Sequence, residues 1–416
     1  MPTKEPSGYS RRHSKTLHRA DNTRKNVKEM KPTERLKEVA LLFLRLGAFS
    51  FGGPAVYIAL MHDEVVRRRR WIDEQRFLDL VGATNLVPGP NATEIAIYLG
   101  LIRAGWPGLI ASGALFILPG MVATLLVAWA YVTYGSIPEV GWVLYGVKPV
   151  VIGIVIQALW NLGRTGIKGL TTAIVGIGVV ALYLLGLNEI ALLFGGAAVV
   201  LLVRSGFRFF RHGLPAILVA PALFLKLPLA WFTASAAGVV VFSQSTLFLT
   251  FLKIGAVLYG SGYVLLAFLR SEFVVNLGWL TDQQVLDAIV AGQITPGPVF
   301  SSATFVGYLV GGWPSALLAT LGIFLPSFLF VGLLSRILPL VRKSWWAATF
   351  LDGVNAASLG LMFGVTWQLG QAALVDIFTV VLSLVTLLLI FRFKVNSVWL
   401  ILGGGLLGAA YKLVLG

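Results

Sequence analysis

The residues with the most chemical potential follow two short proline turns. Pro88-Gly89-Pro90 precedes Asn91, Thr93 and Glu94, and Pro296-Gly297-Pro298 precedes Ser301, Ser302 and Thr304. Proline lacks an amide donor and clashes with the helical turn before it, so each triplet breaks a helix and a new one starts just beyond. The first amides of a helix have no acceptor within it and lie at the positive end of its dipole. Such an end suits an anion, and the side chains of Asn91, Thr93, Ser301 and Ser302 can add donors there. Glu94 is different. A carboxylate in an apolar stretch is costly and points to function. It can carry a proton and couple it electrostatically to a bound anion, or it can pair with a base. Lys148 lies inside an apolar segment, just before Pro149. It is an anion ligand or the partner of Glu94. The plain alternatives are prolines that only kink packed helices and hydroxyls that serve packing.

Other chemistries are poorly served. Cysteine is absent and only four histidines occur, two of them (His13 and His18) near the start. No built-in metal or cofactor is expected. No Ser/His/Asp set, H-E-x-x-H or paired-carboxylate constellation is visible, and no G-x-x-x-x-G-K-[ST] loop, so an enzyme or a nucleotide-driven pump is not indicated. Movement of a solute would have to run on an ion gradient or on exchange.

The elements holding these residues must lie in a membrane. Of 416 residues, 57% are hydrophobic and 12% charged, and the mean hydropathy is +0.84. Runs such as 107–133, 141–161 and 374–391 approach or exceed the ~20 residues that cross a bilayer. Short segments of alternating polarity, the mark of a membrane β-barrel, are missing. The class is therefore an all-α polytopic membrane protein. Residues 1–37 hold eleven Lys/Arg against four Asp/Glu and are expected to be a disordered basic cytoplasmic tail. No cleavable signal peptide is evident. The bilayer is the expected partner, nucleic acid is not, and a homodimer is left open.

The chain repeats itself. A shift of 208 residues places "FLRLGAFSFGG" (43–53) on "FLKIGAVLYGS" (251–261), Trp71 on Trp279, Asp79 on Asp287 and one PGP on the other, with 17 identities in 48 positions from 43 to 90. One residue out of step, "ILPG" (117–120) meets "FLPS" (324–327) and "YGVKP" (145–149) meets "DGVNA" (352–356), so Lys148 falls on Asn355. Two homologous halves, 38–204 and 246–416, are joined by a connector, 205–245. The loop "RRRR" (67–70) faces an uncharged counterpart, "VNLG" (275–278). Basic loops stay in the cytoplasm, so the halves are expected in inverted topology. Segments 38–62 and 75–103 become re-entrant hairpins with Gly52-Gly53-Pro54 and the first PGP at their tips. Spans near 107–133, 141–161, 168–186 and 189–204 follow, and a crossing within 213–242 delivers the second half upside down. The total is about thirteen apolar segments, with the N-terminus cytoplasmic and the C-terminus periplasmic. Paired breaks in inverted halves point to a transport site at the bilayer midplane.

"FLRLGAFSFGGP" with "VPGPNATEIAIYLG", and the copy "FLKIGAVLYGSGY" with "ITPGPVFSSATFVGYLVGG", resemble the chromate ion transporter family in its long two-domain form. The resemblance spans 38–415. It implies a secondary transporter exporting chromate across the bacterial inner membrane, with sulfate, a similar tetrahedral dianion, as exchange partner or rival substrate. It also implies that the motif residues Gly52, Gly53, Pro54, Pro88, Gly89, Pro90, Pro296, Gly297 and Pro298 belong to the substrate site. Ser261-Gly262 replaces Gly-Pro in the second copy, which weakens the expectation that both halves touch substrate equally. A lipid scramblase with re-entrant hairpins is the rival of another class.

Overall fold

The structure, a computed structural model, describes residues 31–49, 54–135, 137–212, 241–259, 262–334 and 344–415. Gly52, Gly53, the first 30 residues and nearly all of the crossing expected within 213–242 lie outside the described residues. No strand occurs among those described.

The first half runs α1 (Pro32–Phe49), α2 (Pro54–His62), α3 (Glu74–Thr84), α4 (Asn91–Tyr134), α5 (Pro138–Gly166), α6 (Leu170–Leu184) and α7 (Glu189–His212). The second runs α8 (Gln244–Val257), α9 (Leu265–Leu269), α10 (Asp282–Ile294), α11 (Ser302–Leu334), α12 (Trp345–Ala373), α13 (Ile377–Phe393) and α14 (Ser397–Leu415). The halves match in detail. α2 and α9 each continue into a π-helical turn, Asp63–Arg68 and Arg270–Asn276. Asp73 caps α3 and Thr281 caps α10 from equivalent positions. One correction concerns the tail. α1 begins at Pro32, so residues 32–37, expected to be disordered, are helical. Proline suits the first helical position, and Glu34 Oε2 accepts from the Lys31 amide at 3.2 Å.

α4 and α11 are not straight. Ala104 and Gly105 leave helical geometry, Gly105 at φ 65°; Gly311 and Gly312 do the same, Gly312 at φ 72°. Thr304 and Thr320 share a hydrogen bond of 2.7 Å, although sixteen residues of straight helix would separate them by about 24 Å. The chain has turned back on itself. A Cβ on Gly100 would lie 2.2 Å from the Gly108 carbonyl oxygen, and one on Gly307 would lie 2.5 Å from that of Ser315. Each long helix is thus a short arm (91–103, 302–310) folded against a long one (106–134, 313–334). The short arms rise about 20 and 14 Å, too little to cross a ~30 Å hydrocarbon core.

In the first half the ends of the folded segments meet. Glu38 near the start of α1 accepts from Arg69 (2.9 Å), Trp71 (3.2 Å) and Arg103 (2.6 Å). The expected return of 38–62 and 75–103 to a single side fits this knot. The same place in the second half is aromatic: Phe242 packs edge-on against Trp279 at 5.2 Å, and a Cβ on Gly311 would meet the Phe242 ring.

Six described helices are long and apolar enough to cross a membrane: 91–134, 138–166, 189–206, 299–333, 345–373 and 397–414. Three shorter apolar ones are 170–184, 244–257 and 377–393. The span expected near 168–186 is therefore only 15 residues, about 22 Å.

The halves exchange partners. α5 packs on α13 and α14 of the second half, α12 packs on α6 and α7 of the first, and α4 packs on α11. Small residues allow the approach, as they do between membrane helices generally. A Cβ on Gly146 would fall 2.0 Å from the Gly404 carbonyl oxygen, and one on Gly353 would fall 2.6 Å from Ala197 Cα.

Candidate functional site

Each proline turn is seated in the opposite half. In the first, Pro88, Gly89 and Pro90 are buried between α3 and α4. Gly89 adopts φ 135°, open to glycine and strained for other residues. Its amide, the only one in the triplet, donates to Leu258 at the end of α8 (2.8 Å). A Cβ there would lie 2.5 Å from both Glu94 Oε1 and Ser327 Oγ. In the second turn Gly297 adopts φ 87°, and its carbonyl accepts from the Tyr57 hydroxyl of α2 at 2.6 Å. Gly120 lies against it, since a Cβ on Gly120 would be 2.6 Å from the Pro296 carbonyl oxygen. Gly120 and Ser327 end the matched stretches "ILPG" and "FLPS". Each turn therefore meets the same position of the other half's long arm.

The expected polar residues fall into three groups. Asn91 opens α4 and lines a cavity of about 380 Å³ between the halves. Its amide donates to Asn85 Oδ1 (2.6 Å). Glu94 and Thr93 are fully buried in the first turns of α4. Glu94 Oε1 accepts from Ser327 at 3.4 Å, while its Oε2 and the Thr93 hydroxyl have no hydrogen bond among the described residues. Ser301 and Ser302 are also fully buried, but they donate to their own turn: Ser301 to the Pro298 carbonyl (2.9 Å) and Ser302 to that of Val299 (2.8 Å). Thr124 of α4 bonds to Thr295 (3.0 Å) and Ser301 (3.2 Å). The second turn is thus tied internally, and the first carries a spare acceptor. Pro54 opens α2.

Lys148 is not the partner of Glu94. Its ammonium lies 3.2 Å from Asp287 Oδ1 and donates to Gln283 Oε1 at 2.6 Å. Asp287 Oδ2 accepts from Tyr131 at 2.9 Å, and Gln283 donates onward to the Ala372 carbonyl at 2.6 Å. Sequence reasoning missed this pair because it joins residues 139 positions apart in different halves. The available signal was an aspartate inside the apolar stretch "VLDAIVAG".

The cavity beside Asn91 is also lined by Asn85, Thr165, Lys168, Asp352, Asn355 and Ser358, among others. Lys168 (2.8 Å) and Arg204 (2.5 Å) both pair with Asp352. The charged lining residues, Lys168 and Asp352, are thus paired with each other, and Arg204 supports Asp352 from outside the lining. The volume is in the usual range for a small-molecule site.

Comparison with known proteins decides the family. The chromate transporter family matches residues 37–202 and again 245–409. This chain belongs to the chromate transporter family. Two matched regions fit a two-half layout, and they make the recognition of the paired motifs secure. The chain is 34% identical to the chromate transport protein of Cupriavidus metallidurans over 92% of its own length and 95% of that protein's. It is 32% identical to a probable chromate transport protein of Synechococcus elongatus, covering 86% and 90%. With the chromate transport protein of Pseudomonas aeruginosa it shares 33%, covering 88% and 90%. No solved structure matches. Family members are transporters, and the long apolar helices give this one a multi-pass membrane character.

Proposed function

We propose that the chain is a secondary transporter that exports chromate across the bacterial inner membrane, by proton coupling or by exchange with sulfate. The observation that carries this reading is the reciprocal seating of the two PGP turns, each held by the long arm of the other half. Backbone at a helix break is tolerated at membrane depth only where protein or a water-filled cavity satisfies it. Here one such break borders a polar cavity, lined by Asn85, Asn91, Thr165, Lys168 and Asn355 among others. The names of the relatives support chromate as the solute, and sulfate enters because the two dianions share charge and shape.

In this reading the halves are inverted, with a cytoplasmic N-terminus, a periplasmic C-terminus and about thirteen apolar segments. The halves are 38–204 and 246–416, joined by 205–245. Asn91, Thr93 and the turn residues 88–90 and 296–298 contribute to the anion path, together with Gly52, Gly53 and Pro54. Ser301 and Ser302 shape the second turn. Lys148 serves as a ligand once released from Asp287. Glu94 is the proton carrier: it adjoins the first turn, is buried, and has one oxygen without a partner among the described residues.

The test is chromate uptake into liposomes holding the purified protein, with sulfate trapped inside or a pH gradient imposed. Uptake driven by either gradient is expected, and Glu94→Gln should abolish the response to pH while leaving anion binding. No uptake under either gradient overturns the function. An unchanged pH response in Glu94→Gln removes Glu94 from coupling.

A further inference from the structure

The repeat allows the two sides of the molecule to be compared position by position. Lys148 corresponds to Asn355, Asp287 to Asp79, Gln283 to Gln75 and Ala372 to Thr165. Around α10 the four positions, Lys148 from the first half and the other three from the second, form one chain of contacts. Lys148 of α5 reaches Asp287 and Gln283 of α10, and Gln283 reaches the α12 backbone at Ala372. Three helices are stitched together. Around α3 the equivalent residues, Asn355 from the second half and the other three from the first, are arranged differently. Gln75 turns to Asp79 on its own helix (3.2 Å), and Asn355 and Thr165 face the cavity. One side of a pseudo-symmetric molecule is stitched where the other holds an open space.

We infer that Lys148, Asp287 and Gln283 form a latch that closes the second-half entrance while the first-half entrance stands open at Asn91, Asn355 and Lys168. The inference rests on the transporter reading above and deepens it: it names the closed side, the open side and the residues that differ between them. A transporter of two similar halves needs two arrangements in which the entrances exchange roles. Lys148 is paired with a carboxylate at one entrance, while its counterpart Asn355 is neutral at the other, where Asp352 instead pairs with Lys168 and Arg204. The exchange is unequal because the two entrances are held by different contacts. The latch also supplies a role for a substrate dianion. Lys148 is neutralised by Asp287 in the closed side, so an anion arriving at Lys148 competes with that carboxylate and loosens the stitch. Asp287 is a positioning residue in this scheme, since it acts through Lys148.

The chain has no cysteine, so single thiols can report each entrance. Asn355→Cys and Ala372→Cys are made separately, purified in detergent with both faces accessible, and timed with a membrane-impermeant maleimide. The thiol at 355 should react faster than that at 372 in the otherwise unchanged protein. Gln283→Ala and Asp287→Asn should each speed the reaction at 372 by about tenfold or more, the order expected for losing a hydrogen bond to a charged group, and should slow it at 355. Gln283→Ala leaves no buried charge behind and serves where Asp287→Asn does not fold. Equal rates at 355 and 372 without the latch variants, a rate at 372 unmoved by Gln283→Ala, or faster reaction at both sites together would each overturn the latch. Because no chromate is present, the outcomes separate. Switched labelling without chromate uptake refutes the substrate and keeps the latch. Uptake with unmoved labelling does the reverse.

Discussion

At the scale of residues, the chemistry turns on which charges have partners. Lys148 is 15% exposed and Asp287 3%. Removing one member of a buried pair leaves the other uncompensated and typically costs ~3–5 kcal/mol, while removing both is often close to neutral. Lys148→Ala should therefore lower thermal stability markedly, and Lys148→Ala with Asp287→Ala should recover most of it. Thermal melts followed by size-exclusion chromatography measure both. A double variant no more stable than the single would show that an orphaned carboxylate is not the cause. The turns and Glu94 were legible in the sequence because proline, glycine and an intramembrane acid each break a local rule. Asp287 was not, because its meaning lies in a partner that only the folded chain brings near. The contacts of Ser301 and Ser302 were hidden for a related reason. Hydroxyls in a first turn satisfy their own carbonyls as readily as a ligand, and composition does not separate the two.

At the scale of elements, the decisive features are the reversals at Gly105 and Gly312. The sequence announced that a segment ended near Arg103 and another began at Trp106-Pro107. It did not announce that the two arms would touch along Gly100, Gly108 and Ser112, since small residues mark close approach without naming the partner. Replacing Gly by Ala within an exposed helix normally gains up to ~1 kcal/mol, and Gly178→Ala, with nothing within 4 Å of the new methyl group, should follow that rule. Gly100→Ala should do the opposite and cost ~1–3 kcal/mol, because its methyl would fall 2.2 Å from backbone at Gly108. The sign of the change in melting temperature decides. A stabilised Gly100→Ala protein would disprove the folded arms. The brevity of α6 had no clear sequence signal, because the apolar run continues through Leu184 and Leu185 to Gly186, where φ turns to 87°.

At the scale of the whole molecule, the repeat was plain in the sequence, and its exchange of partners was hidden. An internal alignment says which segments are alike, not which ones touch. The charge contrast between 67–70 and 275–278 leads to a direct expectation in intact cells. A single thiol from Arg69→Cys should be shielded from an impermeant reagent, and one from Leu277→Cys should react. Equal labelling would rule out opposed halves. The ionic knot at Glu38 and the aromatic contact at Phe242 argue the same way, since equivalent ends of the two halves have been given different chemistry.

The seating of each turn on the other half's long arm has a consequence for inheritance. In an ancestral pair of identical chains, both turns would carry the same residues and rest on the same residue, so any acid placed beside one would appear beside both. Fusion into one chain removes that constraint. Glu94 now faces Ser327, while the place equivalent to Ser327 is Gly120, packed on the second turn. A single gene thus encodes one turn with a buried carboxyl group beside it and one self-satisfied turn from a common template. A mutation beside either turn is then answered most directly in the opposite half of the gene, roughly two hundred codons away.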